Sequence, residues 1–163
     1  MMQATARVRK RVPIVVIVLA VAGITTACFP DVDSGVPPDP YSAELFRLMN
    51  QDRANAGVPG LRNSPKLDNL AGTWSWQMSV DNALHHQDLR ALQSSPDFSN
   101  YSTLAENLFV MTGDITPAQL ENSWMNSAPH RDNILSRSFN VVGVGVFRGP
   151  DGRLWITADF GGI

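Results

Sequence analysis

Cysteine is almost missing from this chain of 163 residues: Cys28 is the single one. An internal disulfide is excluded, and the thiol is left modified, free or paired with another molecule. No C-x-x-C or H-x-x-x-H pair occurs, so spacing alone marks no metal site. No G-x-S-x-G elbow marks a serine hydrolase either. Long hydrophobic runs are also scarce. The run from Val12 to Ile24 covers 13 residues, short of the roughly 20 that a membrane-spanning helix needs, and Pro13 lies inside it. Internal repeats and low-complexity blocks are absent. So is a basic stripe. Four of the 13 basic residues (Arg7, Arg9, Lys10 and Arg11) precede Cys28, whereas none of the 15 acidic ones does. The chain beyond Cys28 therefore carries nine basic against fifteen acidic side chains, a formal charge of −6. That argues against a general nucleic-acid binder and against a polybasic membrane-surface patch.

What is present at the N-terminus is a basic segment, a short apolar run and then Ile24-Thr25-Thr26-Ala27-Cys28. This is the layout of a secretory signal, residues 1–27. Small residues before a cysteine resemble a bacterial lipoprotein site, in which the cysteine becomes an acylated N-terminus; Thr25 departs from the aliphatic residue usual at its place. The expectation is an exported protein held at the outer face of the cell membrane through acylated Cys28. Cleavage after Ala27 to give a freely secreted chain is the alternative. Acyl chains contribute about 0.8 kcal/mol per buried methylene, so stable anchoring takes more than one chain.

Residues 28–40 are rich in proline, aspartate and small residues without an apolar period, which predicts an extended tether. Residues 41–163 fit one domain with a single core. A helix is expected from about Ser42 to Ala56, with Leu45, Leu48, Met49 and Ala56 on its apolar face and Gly57 and Pro59 beyond its end. A second starts at Ser64-Pro65, and Leu67, Leu70, Ala71, Trp74 and Met78 form its core stripe; Trp76 points elsewhere. It runs out across Asn82–Asp88, and residues 94–103 read as a loop. Residues 104–111 return to an apolar pattern that carries Glu106 and Asn107. Thr116-Pro117 caps another helix, with Leu120 and Trp124 on one face, Glu121 solvated, and Pro129 breaking it just before His130. Two β runs come next, Val141–Phe147 and Leu154–Thr157, joined by Gly149-Pro150-Asp151-Gly152. They predict an antiparallel hairpin. Gly143 and Gly145 leave one face of it bare for a close neighbour. The fold class is α+β.

The segment WMNSAPHRDNIL around His130 resembles the W-M-x-S-x-x-H-R-x-N-I-L stretch of bacterial CAP-superfamily (SCP-like) domains. LMNQDR, LHHQDL, LAENLF and VVGVGV…DGRLWITADFG resemble further family segments in the same order, over about residues 41–163. The resemblance implies an α-β-α sandwich with structural roles for Asn50 and Arg53. It also implies a cleft lined by His86, Glu106 and His130, which in some members takes zinc or magnesium. Imidazole and carboxylate are suitable ligand types, bonding zinc at about 2.0–2.2 Å. His86 is chosen over His85 from the Gln-Asp-Leu after it, leaving His85 to face solvent. Ser127 stands where eukaryotic members carry a further acid, so the set is one ligand short and leaves room for water. Asp132 and Asn133 are expected to cap a helix or bond backbone rather than to catalyse. Two functions of different class stay open. One is an envelope module binding a small apolar ligand or an envelope protein. The other is a metal-assisted, peptidase-like hydrolase built on His86, Glu106 and His130.

Overall fold

The computed structural model describes residue 37 and residues 39–163; the expected signal segment, Cys28 and most of the expected tether lie outside the described residues. Helix α1 (Pro40–Asn55) starts two residues before the expected Ser42. Asp39 is its cap, and its carboxylate accepts the N–H groups of Tyr41 at 2.9 Å and Ser42 at 3.2 Å. Asp39-Pro40 is thus the same signal as Ser64-Pro65, an oxygen-bearing cap followed by a residue that needs no donor. After the short strand β1 (Arg62–Asn63), Ser64 caps α2 (Pro65–Asp81), which ends at Asn82 in the left-handed region with φ 55°. A six-residue helix, α3 (Leu89–Ser94), comes after a loop that carries the three residues His85, His86 and Gln87. Among the described residues no helix is long and apolar enough to cross a membrane.

Strand β2 (Thr103–Thr112) comes from the apolar stretch around Glu106. Helix α4 (Pro117–Met125) opens on a reciprocal cap: Gln119 N–H donates to Thr116 Oγ1 at 3.2 Å, and Thr116 N–H donates to Gln119 Oε1 at 3.0 Å. The break before His130 differs from expectation. Helix α4 has already ended at Met125, Ala128 is helical, and Pro129 lies in the first turn of α5 (Ala128–Leu135). Proline lacks a donor that a first turn does not use, so here it begins a helix rather than ending one.

Strands β3 (Val141–Arg148) and β4 (Arg153–Gly162) form the expected hairpin, with Gly152 at φ 80° in its turn. The sheet order is β1-β3-β4-β2; β1 runs parallel to β3, and the other pairs are antiparallel. Alternation divides the two faces. Val142, Val144, Ile156, Ala158 and Phe160 pack with Leu45 and Met49 of α1, Leu120 and Trp124 of α4, and Ile134 of α5. On the other face α2 lies against β3 and β4, with Leu67 beside Val141 and Met78 beside Leu108 and Trp155. This is a helix–sheet–helix sandwich in the α+β class.

The bare face of β3 is where α2 approaches most closely. A Cβ on Gly143 would lie 2.0 Å from the carbonyl carbon of Leu67, and one on Gly145 would lie 2.1 Å from the amide nitrogen of Gly72. Both obstacles are helix backbone, which cannot swing aside. Gly145→Ala is therefore expected to lower stability by about 2–3 kcal/mol or more. Gly72→Ala, whose new methyl meets nothing within 4 Å, should be neutral or stabilising by about 0.5–1 kcal/mol. Denaturant unfolding of the two variants checks this, and equal midpoints would refute the close-approach account.

Glu121 corrects the expectation of a solvated residue. It is 3% exposed, and neither of its carboxyl oxygens has a hydrogen-bond partner among the described residues. Burial, then the neighbouring Asp52 of α1, pushes its pKa up to about 8 from 4.5. Two carboxylates cannot bond each other, whereas a proton on Glu121 supplies the missing donor. The folded state thus holds a proton that the unfolded chain has already released. Stability falls as pH rises from about 4.5 to about 8. Glu121→Gln should raise stability at pH 8 by a few kcal/mol, on the order of 3–5, and flatten the decline between pH 5 and pH 8. Thermal unfolding at the two pH values reads this directly, and parallel pH profiles for the two proteins would contradict it.

Candidate functional site

Strand β2 is an edge strand, so its outward backbone groups need partners from outside the sheet. Helix α5 supplies them. Asn133 Nδ2 donates to the Glu106 carbonyl at 3.3 Å and to Asn107 Oδ1 at 2.9 Å, while Asn107 Nδ2 donates to the His130 carbonyl at 3.0 Å. As expected, Asn133 bonds backbone. These bonds fasten the first turn of α5, and with it His130, against the edge.

The side chain of Glu106 alternates toward the α2 layer, on the same face as Leu108. There the loop after α2 turns back over it. His86 Nδ1 lies 2.5 Å from Glu106 Oε2, with the His86 side chain 66% exposed and that of Glu106 fully covered. The N–H of Gln87 donates to Glu106 Oε2 at 3.4 Å, and Gln87 Nε2 donates to Oε1 at 2.7 Å. A carboxylate only accepts, so the His86 nitrogen facing it is the one that carries hydrogen, and Nε2 is left to look outward. Of the two adjacent histidines, His86 is the one in contact with Glu106. His85 packs edge-on against Trp74, ring centroids 5.0 Å apart, and its Nε2 is 3.1 Å from Asp81 Oδ2. It is half exposed and turned away from Glu106.

Asp159 belongs to this site although no motif in the sequence singles it out. It sits directly opposite Glu106 across the β2–β4 pair, and Gln87 Nε2 reaches its two oxygens at 3.1 and 3.2 Å. Burial, and after it the charge of Glu106, raises the Asp159 carboxyl well above the usual carboxylate range. Loss of water and a nearby like charge both disfavour its ionised form. The signal available in the sequence was one acid inside the apolar run LWITADFG.

His130 is half-buried. Its Nδ1 lies 2.9 Å from Ser127 Oγ, and its ring is tilted against Trp124 at 6.3 Å between centroids. Ser127 occupies the cap position of α5 without making a side-chain capping bond, which frees its hydroxyl for His130. Burial, and secondarily the field of His86, lowers the His130 pKa. A weakened base, with no acid among its described partners, is poorly suited to activate Ser127 as a nucleophile.

His86, His130 and Glu106 are the residues that would hold an ion, and both oxygens of Glu106 already accept hydrogen bonds from His86 and Gln87. Among the described residues no group of three or more His, Cys, Asp or Glu side chains is placed to hold a metal ion. A groove of about 430 Å3, lined by Trp74, Gln87, Asp88, Ala91, Leu92 and Ser95, shares Gln87 with the site. A larger one of about 550 Å3 runs beside α1 along Pro40, Ala43, Phe46 and Arg47 and includes none of the three histidines.

Residues 46–160 match the model of the CAP, or cysteine-rich secretory protein, family. The protein YkwD of Bacillus subtilis is 29% identical over 126 residues, which are 71% of this chain and 45% of that protein. The chain thus spans less than half the length of this relative. Among solved structures, an outer surface protein of Borrelia burgdorferi is similar with a TM-score of 0.63 at 15% identity, over 73% of this chain and 90% of that one. An extracellular SCP-domain protein of Bacillus anthracis is similar with a TM-score of 0.61 at 24% identity, over 74% of this chain and 39% of that one. At these identities the likeness is one of fold.

The depressed basicity of His130 gives a direct test. In an NMR titration its ring signals should move with a midpoint below 6.5. Since the unfolded chain takes up this proton more readily, the contribution to stability is lost as pH falls through the interval beneath 6.5. A midpoint at or above 6.5 would exclude the buried, neutral imidazole described here.

Proposed function

The chain belongs to the cysteine-rich secretory protein (CAP) family, and on that footing we propose that it is an exported envelope module that binds a small, largely apolar ligand at the β2 edge. The observation that carries this is the pairing of a fully covered carboxylate, Glu106, with a His86 ring that is two-thirds exposed. A buried charge held by several donors is costly to assemble, and here it serves to aim a surface imidazole. The adjoining groove adds the apolar walls of Trp74, Ala91 and Leu92, the combination of hydrophobic lining and few placed polar groups that small-molecule sites use. The basic leader and the short apolar run support export. The small residues before Cys28 support acylation of that thiol and attachment to the outer face of the membrane. Mass spectrometry of the mature N-terminus distinguishes an acylated cysteine from a free terminus.

A fluorescent acyl-chain probe that ends in a hydroxyl tests the ligand site. Saturable binding is expected, weakened at least tenfold by His86→Ala and by Leu92→Asp in the groove. Equal affinity in all three proteins would remove the site from this edge. The hydrolase reading rests on zinc or magnesium at His86 and His130 with Glu106, and calorimetric titration with each ion decides it. Metal binding that is tight at pH 7.5, weak near pH 5.5 and absent in both His86→Ala and His130→Ala would favour it, because ligation needs neutral imidazole. Lack of such binding would leave the ligand-binding module.

A further inference from the structure

Gln87 carries two amide hydrogens, and the geometry gives each a carboxyl group. Its Nε2 donates to Glu106 Oε1 at 2.7 Å and lies 3.1 and 3.2 Å from the two oxygens of Asp159. Both neighbours present acceptors, so the amide has one favourable orientation, nitrogen inward. Glu106 and Asp159 face each other across adjacent strands, with Gln87 buried over both. Without the bridge, Glu106 would keep only the long 3.4 Å bond from the Gln87 backbone and the contact with an exposed ring. Its carboxyl group could then rotate away from His86.

We propose that Gln87 and Asp159 are the positioning residues of the cleft: Asp159 anchors the Gln87 amide, the amide fixes the Glu106 carboxylate, and the carboxylate holds His86 with hydrogen on Nδ1. The consequence is chemical. His86 presents a lone pair on Nε2, so the cleft selects ligands that bring an O–H or N–H donor over those that bring only a carboxylate. This inference rests on the reading of the β2 edge as a ligand site, but its first test does not. The ring tautomer is a property of the protein without ligand, so its failure and the failure of ligand binding are separate results.

The measurement is the long-range 1H–15N spectrum of the imidazoles in the 15N-labelled chain at pH 8. Backbone amide spectra report the fold of each variant. In the unmodified protein His86 should show a hydrogen-bearing Nδ1 and a lone-pair Nε2. In Gln87→Ala and in Asp159→Ala the two nitrogen signals should move toward one another as the ring averages its tautomers. Asp159→Asn, which restores a neutral acceptor, should recover the original pattern. A second arm compares an alcohol and a carboxylate of the same chain length as ligands. The alcohol is expected to bind several-fold more tightly to the unmodified protein, and the preference should shrink in Gln87→Ala.

Hydrogen on Nε2 in the unmodified protein would overturn the proposal. So would unmoved His86 signals in folded Gln87→Ala and Asp159→Ala, or a carboxylate that binds better than the alcohol. If Gln87→Ala does not fold, the contrast between Asp159→Ala and Asp159→Asn decides. If neither alanine variant folds, the tautomer of the unmodified protein and the ligand pair decide.

Discussion

The fold turns on a guanidinium with no carboxylate partner among the described residues. Arg53 is 1% exposed, and its nitrogens donate to four backbone carbonyls: Pro59 at 2.7 Å, Ile134 and Ser136 at 2.8 Å, and Phe139 at 3.0 Å. Each such charge-assisted bond contributes about 1.5–3 kcal/mol, and a buried cation deprived of them would be strongly destabilising. Two of the four carbonyls, Ser136 and Phe139, belong to the turn between α5 and β3, and a third, Ile134, to the last turn of α5. One side chain of α1 therefore fixes where α5 ends and where the sheet begins, about eighty residues later in the chain. Asn50, one turn earlier, does the same for the other approach to the sheet. It exchanges two bonds with the backbone of Leu61, just before β1. Arg53 suits its role through a planar fork that reaches several acceptors at once, which an ammonium on a flexible stem does not.

From that anchor the position of the cleft can be derived. Helix α5, held at its end by Arg53, lies beside the exposed edge of β2, where Asn107 and Asn133 join the two. The α2 layer reaches the same edge from the opposite face through the His86–Gln87 loop. At a sheet edge both helical layers can present side chains to a shared space, because no further paired strand separates them. The two histidines, 44 residues apart in the chain, reach this edge from opposite layers, near enough for the field of His86 to act on His130.

Local signals carried much of this. The caps at Ser64 and Thr116, the Leu67–Met78 stripe and the Gly149–Gly152 turn are short-range features, and their elements stand where the pattern put them. The bare glycine face of β3 met the expected close neighbour, α2. The matching of ordered motifs to the CAP family selected His86 and Glu106, and the two side chains are in contact. What local pattern did not carry was register between distant elements. Whether Glu121 meets water or Asp52 depends on the rotation of α4 against α1, and one step round a helix is about 100°. Pro129 could end one helix or begin the next, and the chain alone does not say which side of it is helical. Asp159 was not singled out, because its partners Gln87 and Glu106 are 72 and 53 positions away.

Three acids are buried among the described residues, and their surroundings differ in kind. Glu121 accepts no hydrogen bond from the described residues, so its burial carries a cost that a proton shared toward Asp52 only partly offsets. Glu106 and Asp159 share the Gln87 amide, and Glu106 further holds an imidazole at the surface. A sequence under no constraint but stability would replace such a cluster with apolar side chains, since satisfied buried charges at best balance their desolvation. Departures from that rule that come with complete hydrogen bonding tend to lie at functional sites. The donors around Glu106 and Asp159 argue that this pair is kept for what it does to His86. Glu121, lacking them, marks a tolerated strain at the α1–α4 contact rather than a second site.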